Sequence, residues 1–260
     1  MAWVQRRVNS QKESNCERCG CRTILRKSHA IPDAIFRSMK RSNRGKITKI
    51  HQDLGVRPTA ESGWAYMLCG HCEKHFNTIC DQAVVKFVNN GDVQDPLKKI
   101  DHNILAIFIC SVLWRAQLSS ASMYAGYNIT ELDAKKITNV ALEKSNPFSE
   151  FSYEIAYMID DIGQIDENMI KNTIAAPYRA EVKLGLQTHT IHHFVAGGIF
   201  FAALYPIVPT VISDNRYLFP NSSHFPTAIR ALSSLSSFRK LENMAREEGF
   251  RQRKPNSIRN

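Results

Sequence analysis

The stretch CERCGCRTILRKSHAIP (residues 16–32) sets Cys16 and Cys19 at Cys-x-x-Cys spacing just ahead of a Ser28-His29 pair, and LCGHCEKHFN (68–77) repeats the motif with Cys69 and Cys72. Four thiolates from two distant segments make a closed tetrahedral sulfur site, the arrangement zinc takes when its role is structural. A glycine accompanies each motif, Gly20 directly after Cys19 and Gly70 directly after Cys69, and lets the backbone fold tightly round a metal. Cys21 is a substitute ligand, whereas Cys80 and Cys110 read as core cysteines. Seven cysteines in 260 residues are too few and too unevenly spaced for a secreted disulfide framework.

The rest of the composition agrees with an intracellular, folded chain. Apolar residues make up 43% of it, which excludes general disorder. The formal net charge of +10 is concentrated in residues 1–49, which hold 13 Lys/Arg and three acids; the remainder carries 21 of each sign. Such a concentrated basic face suits a polyanion. Arg37, Lys40, Arg41, Arg44, Lys46 and Lys49 are the candidate nucleic-acid contacts. The N-terminus has no apolar core of a signal peptide, and the expected location is cytoplasmic. FVAGGIFFAALYPIVPTVI (194–212) is uncharged and 19 residues long, but its glycines, prolines and β-branched residues read as buried strands joined by a proline turn, so a membrane is not an expected partner.

Periodicity divides the chain. Residues 1–15 read as a basic arm, 16–90 as the cysteine-bearing module, 91–148 as a helical segment, 149–250 as a β-rich region ending in a helix within 226–250, and 251–260 as a basic tail. Within the module, residues 22–32 predict a short strand or hairpin ended by Pro32, 32–42 a helix, 43–63 a polar loop, 64–68 a strand, and 72–88 a helix with apolar residues at a 3.6-residue period. ILAIFICSVLWRAQL (104–118) is apolar all round and predicts a buried helix whose Arg115 needs a carboxylate. Thr130 is the expected cap of the next helix.

The chemistry turns on what the zinc clip positions. Glu73, Asn77 and Asp81 are spaced i, i+4, i+8, and each step of four drifts about 40° round a helix, so they share a stripe. A carboxylate–amide–carboxylate stripe opposite a strand histidine holds one hard divalent cation and a base. A solvated helix face is the alternative reading of the same spacing. His71 and His75 are further candidate ligands. The HTIHH run (189–193) puts His189 and His193 on one strand face, a pattern that is more often structural than metal-binding.

In their order along the chain, Cys-x-x-Cys, Ser-His-x-Ile-Pro and Leu-Cys-x-x-Cys-Glu opening a helix, these elements resemble the HNH endonucleases, the zinc-stapled ββα-metal nucleases. The likeness is to a bacterial branch in which a Leu-Trp-Arg helix follows, here Leu113-Trp114-Arg115, and it covers roughly residues 14–118. The resemblance implies that His29 is the general base, that Asn77 is the helix ligand of a catalytic Mg²⁺ or Mn²⁺, and that zinc is structural. Ser28 stands where the family usually has an acidic or histidine ligand, which leaves Glu73 or Asp81 to compensate.

The expectation is therefore an α+β chain: a zinc-stapled ββα-metal (HNH-like) module, a helical segment, then a mixed or antiparallel β-rich domain. The expected activity is metal-dependent endonucleolytic cleavage of DNA, with RNA left open as substrate. By analogy it would be an effector of bacterial anti-phage defence, restrained or delivered by a protein partner. The competing expectation is a zinc-stabilised nucleic-acid-binding or adaptor module without catalysis.

Overall fold

The computed structural model describes residues 12–51, 55–89, 100–159, 167–184, 186–208, 218 and 229–231. It is a mixed α+β structure with two sheets. The small sheet has the order β1-β2-β5, built from β1 (Glu13–Asn15), β2 (Arg22–His29) and β5 (Trp64–Cys69), all antiparallel. Residues 13–15, expected in a free arm, instead extend this sheet. Residues 1–11, the rest of that arm, lie outside the described residues, as does the basic tail 251–260.

Between β2 and β5 come α1 (Asp33–Ser42), β3 (Ile47–His51) and β4 (Gly55–Thr59). Pro32 supplies the N-cap position of α1, and Ile35, Phe36 and Met39 form its buried face. Residues 43–63, expected as a loop, carry the β3–β4 hairpin. Its strands are polar and short, so they lack the apolar alternation that would announce them. β3 pairs in parallel with β7, more than 100 residues further on, and a partner so distant leaves no local trace.

The β5 strand runs directly into α2 (Gly70–Phe76), a π-turn (Asn77–Asp81) and α3 (Gln82–Asn89). The helical middle of the chain follows: α4 (His102–Leu118), α5 (Glu131–Ala141) and α6 (Pro147–Glu150). As expected, Thr130 caps α5, its hydroxyl accepting from the Asp133 N–H at 3.1 Å. α4 is buried on nearly every side, as a helix without a polar stripe must be.

The remaining elements are β6 (Ser152–Ile159), α7 (Glu167–Lys171), β7 (Thr173–Leu184), β8 (Gln187–Ala196), β9 (Ile199–Tyr205) and β10 (Ile229–Ala231). They build a seven-stranded mixed sheet of order β10-β6-β9-β8-β7-β3-β4. A helix expected within 226–250 lies outside the described residues, except that 229–231 pair with β6 as a strand. β8 and β9 are joined by Gly197 and Gly198, whose φ angles of 64° and 76° suit the tight hairpin turn that only glycine adopts without strain. The end of β8, Phe194–Ala196, and β9 are apolar because both faces are covered there. Phe194 and Phe201 stack 5.0 Å apart and meet Phe108 of α4 on one face, while Val195 and Phe200 belong to a second apolar cluster on the other. This accounts for the uncharged run at 194–205. Among the described residues no helix is long and apolar enough to cross a membrane.

α4 joins the halves of the molecule. Its far side packs the sheet, and its near side holds Trp114 5.6 Å from Phe76 of α2. The main apolar core runs without a break from the cysteine motifs through α4 to the large sheet.

Candidate metal clip and adjoining cleft

Cys16 and Cys19 sit on the turn between β1 and β2. Gly20, at φ 72°, takes the left-handed conformation that closes this turn. The Cys16 N–H donates to the Cys21 carbonyl at 3.0 Å, and the Gly20 N–H donates to the Cys16 carbonyl at 2.8 Å. Glu17 N–H to Met67 C=O, also 3.0 Å, stitches the turn to β5. Cys69 ends β5 and is the N-cap of α2, and Cys72 lies in the first turn of that helix. The four Sγ atoms lie within 4.8 Å of one another.

The surroundings suit thiolates. Cys69 N–H points at Cys16 Sγ and Cys72 N–H at Cys69 Sγ, each at 3.4 Å, and Arg18 lies 3.9 Å from Cys72 Sγ. Burial works against the Cys16 thiolate, but backbone N–H groups outweigh it and bring the thiol to about 7. Burial dominates at Cys72 and pushes it up to about 12. A chemically uneven set of four converging sulfurs, aimed at by amides, fits a tetrahedral zinc that would bind all four as thiolates. Cys21 is exposed and outside the group. Cys80 and Cys110 are buried thiols in the core, 3.5 Å from the Phe76 carbonyl and 3.4 Å from Tyr153 Oη respectively.

One residue past Cys72 the chain enters a cleft of about 490 Å³, lined by His29, Asp33, Arg37, Glu73, Lys74, Asn77, Asp81, Gln82 and Arg115 among others. All four expected site residues, His29, Glu73, Asn77 and Asp81, reach it. The π-turn begins at Asn77, so the regular four-residue spacing of the stripe is interrupted between Asn77 and Asp81.

His29 is largely buried. Its Nε2 lies 3.1 Å from Ser62 Oγ and 3.6 Å from Asp33 Oδ1. Burial lowers its pKa; Asp33 opposes this, and Arg115, Lys40 and Arg37 reinforce it, so the surroundings favour the uncharged imidazole. Its backbone is fixed from below. Arg115, buried in α4, donates from Nη1 to the His29 carbonyl at 3.2 Å. The same guanidinium grips both oxygens of Asp81, at 2.9 and 2.8 Å, and the Ser111 carbonyl and hydroxyl, each at 3.1 Å. Burial opposes the Arg115 charge, and the Asp81 carboxylate more than offsets it, so the guanidinium stays protonated. Here is the carboxylate that a buried arginine in α4 requires. With both its oxygens engaged by Arg115, Asp81 anchors that arginine.

Ser28 alternates away from His29. It is fully buried, and its Oγ accepts from the Leu68 N–H at 3.2 Å. Glu73 Oε1 is buried and has no hydrogen-bond partner among the described residues. Burial raises the Glu73 carboxyl above its ordinary range; Ser28 and Arg115 reduce the rise and Asp81 adds to it. His75, an alternative ligand in the sequence, lies 2.9 Å from Arg18 and 2.6 Å from Glu143, which ties the clip to the end of α5. His71 does not line the cleft.

Sequence reasoning missed Asp33 and Ser62. Asp33 reads as an ordinary first-turn helix acid, and the available signal was its place four residues after His29 across Pro32. Of the expected basic contacts, Arg37 lines the cleft and pairs with Asp33 at 3.4 Å. Lys40 and Arg41 occupy the last turn of α1, and Arg44 and Lys46 the turn after it. Arg41, Arg44 and Lys46 are exposed. Lys49 is half-buried on β3, which lowers its pKa, with Glu61 partly restoring it.

The HTIHH histidines do not converge. His189 is held by the Pro206 carbonyl at 2.7 Å, His193 lies edge-on to Tyr178, and His192 faces Tyr127 and Asp133. Among the described residues the four cysteines are the one group of three or more His, Cys, Asp or Glu whose ligand atoms come together. No family model, curated protein or solved structure matches the chain.

Proposed function

We propose that the chain is a metal-dependent HNH-type endonuclease that hydrolyses phosphodiester bonds of DNA in the His29 cleft. The observation that carries this reading is the setting of His29: an imidazole at the end of a strand, its carbonyl fixed by a buried arginine, opening on a cleft that begins one residue from a four-cysteine clip. The His29 imidazole would take the proton from the attacking water, which would displace Ser62 and Asp33 from Nε2, the atom they face in this structure. Glu73, with its orphaned buried oxygen, and Asn77 would hold a divalent cation; Mg²⁺ or Mn²⁺ there supplies charge neutralisation at the scissile phosphate. Arg37 and Lys74 at the cleft, and the exposed Arg41, Arg44 and Lys46, would draw in the phosphate backbone.

A catalytically silent nucleic-acid-binding module is the second reading. It is favoured by Ser28, whose side chain turns inward, and by Asp81, whose oxygens are committed to Arg115. Plasmid cleavage with Mg²⁺ or Mn²⁺ separates the two. A general base contributes about 10²–10⁴-fold to rate. His29→Ala is therefore expected to lose at least that much while keeping its zinc and its DNA affinity. Cleavage by His29→Ala at the wild-type rate sinks the assignment, and a wild-type protein inert with every divalent metal leaves the binding module in its place.

A further inference from the structure

The outward face of the small sheet carries a feature that the cleft chemistry does not use. A register slip lies between Arg26 and Lys27 of β2, where the strand pairs with β5. Leu25 and Ser28 on either side are buried, and Arg26 and Lys27 are both exposed. A bulge of this kind re-aims side chains, and here it sets two consecutive cations on the solvent face where regular alternation would bury one. Neither has a carboxylate partner among the described residues. Opposite them, Trp64 is 41% exposed and Tyr66 stands edge-on to it, ring centroids 5.4 Å apart. Lys27 Nζ lies 4.2 Å from the Trp64 ring centre.

This patch adjoins the cleft histidine. Trp64 is the cross-strand partner of His29, and Ser62, two residues earlier, meets His29 Nε2. A large exposed aromatic ring flanked by cations that have no carboxylate partner among the described residues is what an unpaired base and its phosphates need. The ring offers a π-face that every base can stack on, and the cations follow the backbone. A duplex keeps its bases stacked inside and offers Trp64 nothing equivalent. A lysine over an exposed ring is weakly held, so it can exchange places with a base and move to a phosphate.

We propose that Trp64, with Tyr66, Lys27 and Arg26, is a stacking platform for an unpaired nucleotide next to His29, so that the substrate is single-stranded or locally unpaired nucleic acid. The proposal rests on the nuclease reading for its purpose but not for its test. Binding of a labelled DNA oligonucleotide, of its RNA counterpart and of the same DNA as a duplex is measured by fluorescence anisotropy on the full chain, with no added divalent metal. Loss of one base–aromatic stack should weaken single-strand binding by Trp64→Ala about tenfold. Duplex binding, governed by phosphate contacts, should change less than about twofold. Trp64→Phe should keep most of the single-strand affinity, and both variants should keep wild-type zinc content. The two single-strand arms report whether DNA and RNA share the platform. Wild-type single-strand affinity in Trp64→Ala overturns the proposal, as does an equal loss for single strand and duplex, or a wild-type protein that binds no single strand. The nuclease reading fails separately, on cleavage by His29→Ala.

Discussion

The clip and the cleft meet on α2, at Cys72 and Glu73, yet they are built differently. The clip is made by backbone: a glycine turn, two backbone hydrogen bonds within it, and a helix N-cap bring four sulfurs within 4.8 Å of one another. The cleft is made by side chains from a strand end, a helix first turn, a π-turn and α4. Each of these answers first to a protein partner: His29 to Ser62, Asp33 to Arg37, and Asp81 to Arg115. A backbone-built site is organised before its ion arrives. A side-chain-built site has to release some of its internal contacts when its ligand binds, and only Glu73 is held there with a buried oxygen to spare.

The sharpest way to break this comparison is to remove a sulfur. Structural zinc in small domains contributes an apparent binding free energy of about 10–16 kcal/mol, and much of that becomes folding energy. Cys69→Ser should lose the zinc and lower the melting temperature by about 15 °C or more, because the clip joins β5 to the β1–β2 turn. Wild-type protein without zinc by elemental analysis, or a variant that melts with wild type, would show that the clip is not a metal site.

The next effect tests whether Asp81 belongs to the ion pair or to a cation. Removing one partner of a buried pair leaves an uncompensated charge and costs about 3–5 kcal/mol. Arg115→Met should therefore destabilise the fold by that amount, and Asp81→Asn should also destabilise, though less because an amide still accepts from the guanidinium. Adding Asp81→Leu to Arg115→Met should recover much of the loss. Asp81→Asn that abolishes cleavage with no change in stability would instead make Asp81 a ligand.

The clip was legible from sequence because cysteine spacing and a neighbouring glycine are local signals with few other meanings. The demand of Arg115 for a carboxylate was legible too, since a guanidinium inside an apolar helix must be paired, and the supplier proved to be one of the candidate stripe residues. What was not legible either depended on a partner distant in the chain or left no distinctive local pattern. The polar β3–β4 hairpin is a strand pair only because β7 completes it. Asp33 is a site residue only because Pro32 turns α1 back towards His29. The π-turn, which interrupts the spacing of the stripe between Asn77 and Asp81, has no sequence signature in NTICD.

A third polar site gives the comparison its reference point, because it is buried, connected and shares no residue with the clip or the cleft. Asp133, at the start of α5, accepts from Arg179 of β7 at 3.2 Å and lies 3.5 Å from Nε2 of His192, whose Nδ1 meets the Tyr127 hydroxyl at 3.1 Å. It fastens α5 to the large sheet and lines neither of the spaces discussed above. The His192 imidazole, 3.5 Å away, is the main influence on Asp133; burial works against it, while Thr130 and Arg179 add to it, and together they hold its carboxyl at about 2 against an ordinary 3.8. A carboxylate with a depressed folded-state value contributes stability above its unfolded value and loses it as pH falls through the folded one. The network should then add about 2 kcal/mol at neutral pH, all of it disappearing between roughly pH 4 and pH 2. Asp133→Asn should be less stable than wild type by about that amount in urea at pH 7, and the two should converge by about pH 2. A gap that stays the same at both pH values would mean that shape, and not charge, joins α5 to the sheet.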